Sequence, residues 1–74
     1  MLGDRYKIIM QDYEGKIIDV TRFICGKEYV DILKDLLEQR FEIDTKISMR
    51  LGHITKEKGQ LMLEKTEFKL VKPL

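Results

Sequence analysis

Residues 5–24 of the chain, RYKIIMQDYEGKIIDVTRFI, decide the fold because they predict a β-hairpin. Polarity alternates along residues 5–12, and residues 16–24 are rich in β-branched and aromatic side chains, as in two paired strands. Between these segments, Asp12 suits the first position of a type I turn. Gly15 supplies the positive φ angle that closes such a turn with a β-bulge. These residues are therefore predicted to form two antiparallel strands.

The segment that follows, residues 27–40, predicts an amphipathic helix. Its apolar side chains recur at steps of three and four residues and form one broad stripe, which consists of Tyr29, Val30, Leu33, Leu36 and Leu37. We expect this stripe to pack on the sheet. Gly26 is an acceptable N-cap, and Glu28 lies where the helix dipole is positive. Since neither Gly nor Pro marks its end, we predict that the helix ends near Arg40.

The last third of the chain is ambiguous, and we interpret it as a second hairpin. Polarity alternates along residues 46–53, and residues 60–71 carry apolar side chains on both sides of a polar interruption. A helix over residues 55–66 is the competing prediction because Glu and Lys favour helices, although Gly59 opposes one. The order ββαββ predicts a single α+β domain over residues 1–74. It would be a two-layer fold with a four-stranded antiparallel sheet and one amphipathic helix on one face.

The composition limits the chemistry that the chain can perform. Among its 74 residues are one cysteine, Cys25, and one histidine, His53, which cannot supply an internal disulfide or an ordinary Cys/His zinc site. Ser48 and His53 have opposite parity on the predicted strand, which would separate their side chains. The spacings of phosphate-binding and calcium-binding loops do not occur. We therefore expect no enzymatic activity, no cofactor and no bound metal.

Hydropathy and cysteine content bear on location. Apolar runs in the sequence are far shorter than the roughly 20 residues of a membrane span. Residues 1–5, MLGDR, lack the basic and apolar regions of a signal peptide. A single unpaired cysteine is typical of a reducing compartment. We therefore expect a cytoplasmic protein without a membrane segment.

Charge is distributed unevenly although the net charge is only +1. Residues 26–45 carry three basic and six acidic side chains, whereas residues 46–74 carry seven basic and three acidic ones. Four basic residues would lie on one strand face and the adjoining loop of the second hairpin, residues 46–72: Lys46, Arg50, Lys56 and Lys58. Such residues can bind phosphates, or they can simply protect a sheet edge from pairing. Nucleic-acid binding through this hairpin is the alternative function.

Two short segments resemble known proteins. The sequences LKDLLE and IDTKI within residues 33–47 are similar to the helix-to-strand segment of LAGLIDADG homing endonuclease half-domains. The acidic catalytic residue that ends the defining helix of that family is absent, so nuclease activity is not implied. Residues 8–16, IIMQDYEGK, resemble small phage proteins that inhibit uracil-DNA glycosylase, which are strongly acidic DNA mimics.

A small domain with one helix leaves a face of its sheet uncovered, which predicts a partner. We expect a homodimer or another protein partner to contact the sheet, with Phe23 or Phe68 among the buried side chains. The principal prediction is therefore a small non-enzymatic protein-binding module. Such a module would be a regulator or inhibitor of a larger macromolecule, of the type found among mobile-element proteins.

Overall fold

A computed structural model describes residues 3–73 and has an α+β fold with a three-stranded antiparallel sheet and two α-helices. In chain order its elements are β1 (Asp4–Gln11), β2 (Ile17–Cys25), a 3-10 helix (Lys27–Tyr29), α1 (Val30–Arg50), α2 (Lys56–Lys65) and β3 (Glu67–Val71). Met1, Leu2 and Leu74 lie outside the described residues, so the predictions made for residues 1–5 and for the ends of the domain are covered only in part. The α+β class is confirmed. The predicted four strands and the order ββαββ are wrong.

The predicted first hairpin is confirmed. Strands β1 and β2 are antiparallel, and their register aligns Tyr6 with Phe23. In the turn, one carboxylate oxygen of Asp12 accepts the backbone N–H groups of Glu14 at 2.9 Å and of Lys16 at 2.8 Å. Gly15 has a φ angle of +82°, which a side chain at this position would disfavour. The turn chemistry that the sequence predicts is therefore the chemistry that closes the hairpin.

The core lies between the sheet and α1. The strand order is β2-β1-β3, so that β1 is central and pairs with a neighbour on each side. The side chain of Ile8, in the middle of β1, is only 1% exposed. Among residues 3–73, the buried large apolar side chains are Tyr6, Ile8 and Val30. This core is small even for a short chain, which leaves little stability in reserve.

Helix α1 begins at Val30, after the 3-10 helix, and ends ten residues later than predicted because the first stop signal comes at Gly52 rather than near Arg40. Gly52 has a φ angle of +79°, and its N–H donates to the carbonyl oxygen of Met49 at 3.2 Å. The N–H of His53 donates to the carbonyl oxygen of Ser48 at 2.9 Å. These two bonds form a Schellman motif, which ends the helix. The alternation that suggested a strand over residues 46–53 also fits a helix, since apolar residues recur there every four positions.

The second helix, α2, replaces the strand predicted after the polar loop, and the competing prediction of a helix over residues 55–66 is the correct one. Thr55 caps the helix, because its hydroxyl oxygen accepts the N–H of Lys58 at 3.1 Å. Gly59 is buried, and a Cβ atom at this position would overlap the side chain of Met49 in α1. The glycine that weakened the helix prediction therefore allows the two helices to approach closely.

The described residues have an elongated shape of 45 × 22 × 15 Å, with a longer α1 than predicted and with α2 in place of a strand. Phe41 of α1 contacts Phe68 at the start of β3, with ring centroids 5.8 Å apart. The later turns of α1 pack against α2, and Thr45 is buried there. Within residues 3–73, neither helix has the length and the hydrophobicity that are needed to cross a bilayer. One face of α1 consequently packs on the sheet and on α2, while its remaining surface is available to a partner.

Candidate functional site

The face of the sheet that α1 covers holds the aromatic side chains. Tyr6 stacks on Phe23 with ring centroids 6.0 Å apart, and Phe68 meets Phe41 edge to face. Both predicted interface residues, Phe23 and Phe68, are therefore half-buried within the fold rather than on the open face of the sheet. Their participation in a protein interface stays a prediction.

The open face of the sheet is basic. Residues that alternate with the covered ones point to this side, and cross-strand partners share a side. The basic side chains on this side, called the basic face below, are Arg5, Lys7, Arg22 and Lys69. Lys7 is the direct cross-strand partner of Arg22, and Glu67 is the one acidic residue of the three strands that shares this face. The floor between the charges is aliphatic, with Ile9 aligned to Val20.

The four cations of the basic face have no carboxylate partner among the described residues. All three ion pairs found in residues 3–73 join positions i and i+4 of α1: Lys34 with Glu38, Arg40 with Asp44, and Lys46 with Glu42. Like charges placed directly opposite each other across two strands destabilise the sheet. The face therefore concentrates positive charge at a cost in stability.

A second exposed surface runs along the side of α1 that faces away from the sheet. It consists of five large apolar side chains, each 50–57% exposed, and is called the outer stripe: Tyr29, Ile32, Leu36, Ile43 and Ile47. Four of these residues lie on α1, where at 3.6 residues per turn they fall within an arc of about 60°, and Tyr29 ends the 3-10 helix that precedes α1. The predicted broad stripe is thus divided, because Val30 is buried and Leu33 and Leu37 are half-buried, whereas Tyr29 and Leu36 are exposed. The prediction that Tyr29 and Leu36 pack on the sheet is wrong.

The four basic residues predicted for a second hairpin lie on the two helices instead. Lys46 and Arg50 belong to the last turns of α1, whereas Lys56 and Lys58 belong to the first turn of α2. Lys46, Arg50 and Lys56 line one groove between the helices, and Lys58 does not line it. Lys46 also donates to Glu42 at 2.8 Å, which offsets part of the local charge. The structure therefore brings three of the four residues together, by a different route from the predicted one.

The titratable side chains of the described residues can be compared with the geometry of metal sites and of acid–base pairs. Within residues 3–73, no group of three or more His, Cys, Asp or Glu side chains could hold a metal ion. Burial raises the pKa of the Tyr6 phenol above its ordinary value, and the nearby Asp4 adds to this effect. The hydrogen bond to Glu38 raises the pKa of Lys34. Both shifts have structural causes and do not indicate an acid–base pair.

The basic face was not among the predicted sites, although the alternation that defines it is visible in the sequence. Arg5 and Lys7 have the opposite parity to Tyr6 and Ile8 in the predicted first strand. What could not be known was that β3, which contributes Lys69, pairs with this strand. Charge totals by segment conceal the cluster, because Asp4, Asp12, Glu14 and Asp19 cancel the basic residues of the first hairpin in the sum.

Comparison of this chain with protein-family models, with curated proteins and with solved structures finds no significant match, so its function has to be inferred from its own surfaces.

Proposed function

We propose that this chain is a small non-enzymatic protein-binding module, and that the outer stripe of α1 binds a second copy of the chain. The observation that carries the proposal is the stripe itself, five large apolar side chains that are each about half exposed along one side of a helix. Contiguous apolar patches larger than a few hundred Å² mark interaction sites on soluble proteins.

The distribution of apolar surface supports self-association. The described core buries only a few large side chains, with Ile8 at its centre, while the five large apolar side chains of the outer stripe each stay about half exposed. Small domains often gain their missing stability from oligomerisation. Five half-exposed side chains remove on the order of 500 Å² per copy, or about 1,000 Å² in total, which is the lower range of specific interfaces.

The spacing of the outer stripe favours an antiparallel dimer. Leu36 and Ile43 lie at equal distances on either side of the midpoint between Gln39 and Arg40. If two copies of α1 pack antiparallel about this midpoint, Leu36 meets Ile43 of the partner subunit. The same symmetry relates the outer members of the stripe, Ile32 and Ile47. An interface with two-fold symmetry requires this kind of self-complementarity.

Charge also favours the antiparallel arrangement. Asp35, near the start of α1, forms no ion pair among residues 3–73, and neither does Arg50 at its end. An antiparallel pair brings the acidic start of one helix to the basic end of the other. A parallel pair would place the two acidic ends together, and complementary charges are what determine orientation in paired helices.

The test compares the mass in solution of the wild type with that of Leu36→Glu/Ile43→Glu by sedimentation equilibrium. We expect the wild type to be dimeric at roughly 100 µM and the double variant to be monomeric, because charges would be buried in the interface. Ile18→Glu is the matched control, since Ile18 is 49% exposed and lies on β2, away from the stripe. A monomeric wild type, or equal dissociation of the control, contradicts the proposal.

The proposal also covers the cellular compartment in which the module acts and the way in which it acts. Cys25 is a free, half-buried thiol, which is consistent with a reducing compartment such as the cytoplasm. A dimer without its own catalytic activity would act by occupying a larger macromolecule, as a regulator or inhibitor. Co-purification of the wild type and of the monomeric double variant from the native host would separate partners that need the dimer from those that do not.

A further inference from the structure

We propose that the basic face of the sheet binds the phosphate backbone of a nucleic acid and does so without reading its sequence. This site is separate from the outer stripe, because it lies on the opposite side of the sheet from α1. It also differs from the groove between α1 and α2, which is lined by three of the basic residues that the sequence predicted for a second hairpin.

The cations of the basic face are drawn from all three strands and lie close together. Arg5 and Lys7 are two residues apart on the central strand, Arg22 lies directly opposite Lys7, and Lys69 lies opposite Ile9. With strands spaced at 4.7–4.9 Å and a rise of about 3.4 Å per residue, the backbones of all four cations lie within roughly 15 Å. Several phosphates of one nucleic-acid strand can therefore be contacted at once.

Protection of sheet edges does not explain this cluster. Lysines on edge strands prevent unwanted pairing, and Lys69 and Arg22 could serve in this way because β3 and β2 are the edges. Lys7, however, lies where the central strand pairs on both sides, opposite Arg22 of β2 and Val71 of β3. A polyanion would relieve the repulsion between Lys7 and Arg22, so its binding supplies the missing counter-charge.

The chemistry of the face favours nucleic acid over an acidic protein. The cores of protein interfaces are depleted of charge, whereas protein–nucleic acid interfaces are strongly positive. Here two of the four charges, Arg5 and Lys7, lie on the central strand β1. Helix α1, on the other side of the sheet, has five acidic and four basic residues, so a polyanion is directed to the sheet and away from the helix.

The mode of binding follows from where the aromatic side chains lie. Tyr6, Phe23 and Phe68 belong to the covered face, which leaves Ile9, Val20 and similar aliphatic side chains between the cations. Aliphatic side chains do not provide the stacking platforms that hold unpaired bases. Contacts to phosphates position a protein without specifying sequence. We therefore expect similar affinities for duplexes of unrelated sequence.

The experiment measures fluorescence anisotropy of a labelled 30-base-pair DNA duplex of random sequence, titrated with the full chain at several salt concentrations. With four phosphate contacts, the log–log slope of affinity against salt should be roughly −3.6, at about 0.9 per contact. Lys7→Gln/Arg22→Gln should reduce the slope to roughly −1.8. The melting temperature of this variant should not fall, because the substitution removes a repulsion rather than a contact.

The matched control removes the same amount of charge from the groove between the helices. We expect Lys46→Gln/Lys56→Gln to bind with nearly the wild-type slope. An equal loss in both variants would mean that only net charge matters, and a loss in the control alone would assign binding to the helical groove. Either result overturns the proposal, as does the absence of binding at low salt.

Two further measurements distinguish nucleic acid from an acidic protein as the ligand, and binding by the basic face from dimerisation. Polyglutamate should compete poorly with the duplex, and competition at equal charge concentration would point to an acidic protein and overturn the nucleic-acid assignment. The monomeric variant Leu36→Glu/Ile43→Glu should keep the salt slope per copy. If it does while the wild type proves monomeric, the basic face stands without the dimer, and the two proposals are thus tested separately.

Discussion

The outer stripe and the basic face are two exposed surfaces of the described residues that differ in chemistry, and they lie on opposite sides of one thin core. The outer stripe is apolar and lies on a helix, where burial of surface would supply the binding energy. The basic face is charged and lies on a sheet, where Lys7 and Arg22 stand opposite each other without a counter-charge. One chain therefore presents a surface that should bind almost independently of salt and another that should depend on it steeply.

The layer arrangement explains how the two surfaces can coexist. Alternate residues of β1 face α1 or face away from it, so that Ile8 enters the core and its neighbour Lys7 joins the basic face. In the same way, α1 turns Val30 toward the sheet and Leu36 away from it. If two copies pair through their outer stripes, the two basic faces point in opposite directions. Such a dimer could hold two segments of nucleic acid apart.

The largest expected effect on stability comes from a substitution in the core, because the core supports both the outer stripe and the basic face. Ile8→Ala should lower the free energy of unfolding by about 2–5 kcal/mol, because Ile8 is the most buried side chain of a small core. Urea denaturation followed by circular dichroism measures this change. Leu36→Ala is the control, and under monomeric conditions it should cost much less. A loss as large for Leu36→Ala would mean that the division of α1 into inner and outer sides is wrong.

Added salt should weaken binding of DNA to the basic face but leave dimerisation through the outer stripe nearly unchanged. Between 50 and 200 mM salt, four phosphate contacts predict a loss of about 100-fold in affinity for duplex DNA, because counterions are no longer released favourably. The dimer should be unchanged or slightly stabilised over the same range, since its interface is mainly apolar. Parallel titrations by fluorescence anisotropy and sedimentation test the contrast. Dissociation of the dimer as salt rises would show that ion pairs, and not the outer stripe, hold it together.

The contact between α1 and α2 should support the outer stripe but not the basic face. Gly59→Leu should cost about 1–3 kcal/mol, because a side chain there collides with Met49 and pushes α2 away from α1. The C-terminal half of the outer stripe lies on the part of α1 that α2 supports, so this variant should weaken the dimer. Binding of DNA should persist because the basic face does not involve α2. If DNA binding is lost while the sheet remains folded, the two surfaces are not independent.

What could be predicted from the sequence depends on whether the decisive interactions are local. The first hairpin was predictable because Asp12 and Gly15 satisfy the turn within four residues of the chain. The start of the helical segment was also predictable, from Gly26 and the apolar spacing, although residues 27–29 form a 3-10 helix and α1 itself begins at Val30. Its end was not, because the same residues fit a strand by alternation and a helix by four-residue steps. In α2, Gly59 counted against a helix, and only the long-range contact with Met49 explains its presence.

The candidate surfaces were harder to predict because each depends on tertiary placement. Lys69 joins Lys7 only through the pairing of β3 with β1, which connects distant parts of the chain. Tyr29 and Leu36 were assigned to the core because one broad stripe predicts a single packed side. The three-stranded sheet covers only part of that stripe, so Tyr29 and Leu36 belong to the outer stripe instead.

The central claim, an antiparallel dimer through the outer stripe, is tested most directly by cross-linking single cysteines in a Cys25→Ser background. Gln39→Cys lies beside the predicted two-fold axis, so mild oxidation should join two copies rapidly. Arg50→Cys should not cross-link, because an antiparallel pair separates the two copies of this residue by about 30 Å along the helices. Equal cross-linking of Arg50→Cys, or none from Gln39→Cys, would contradict the account.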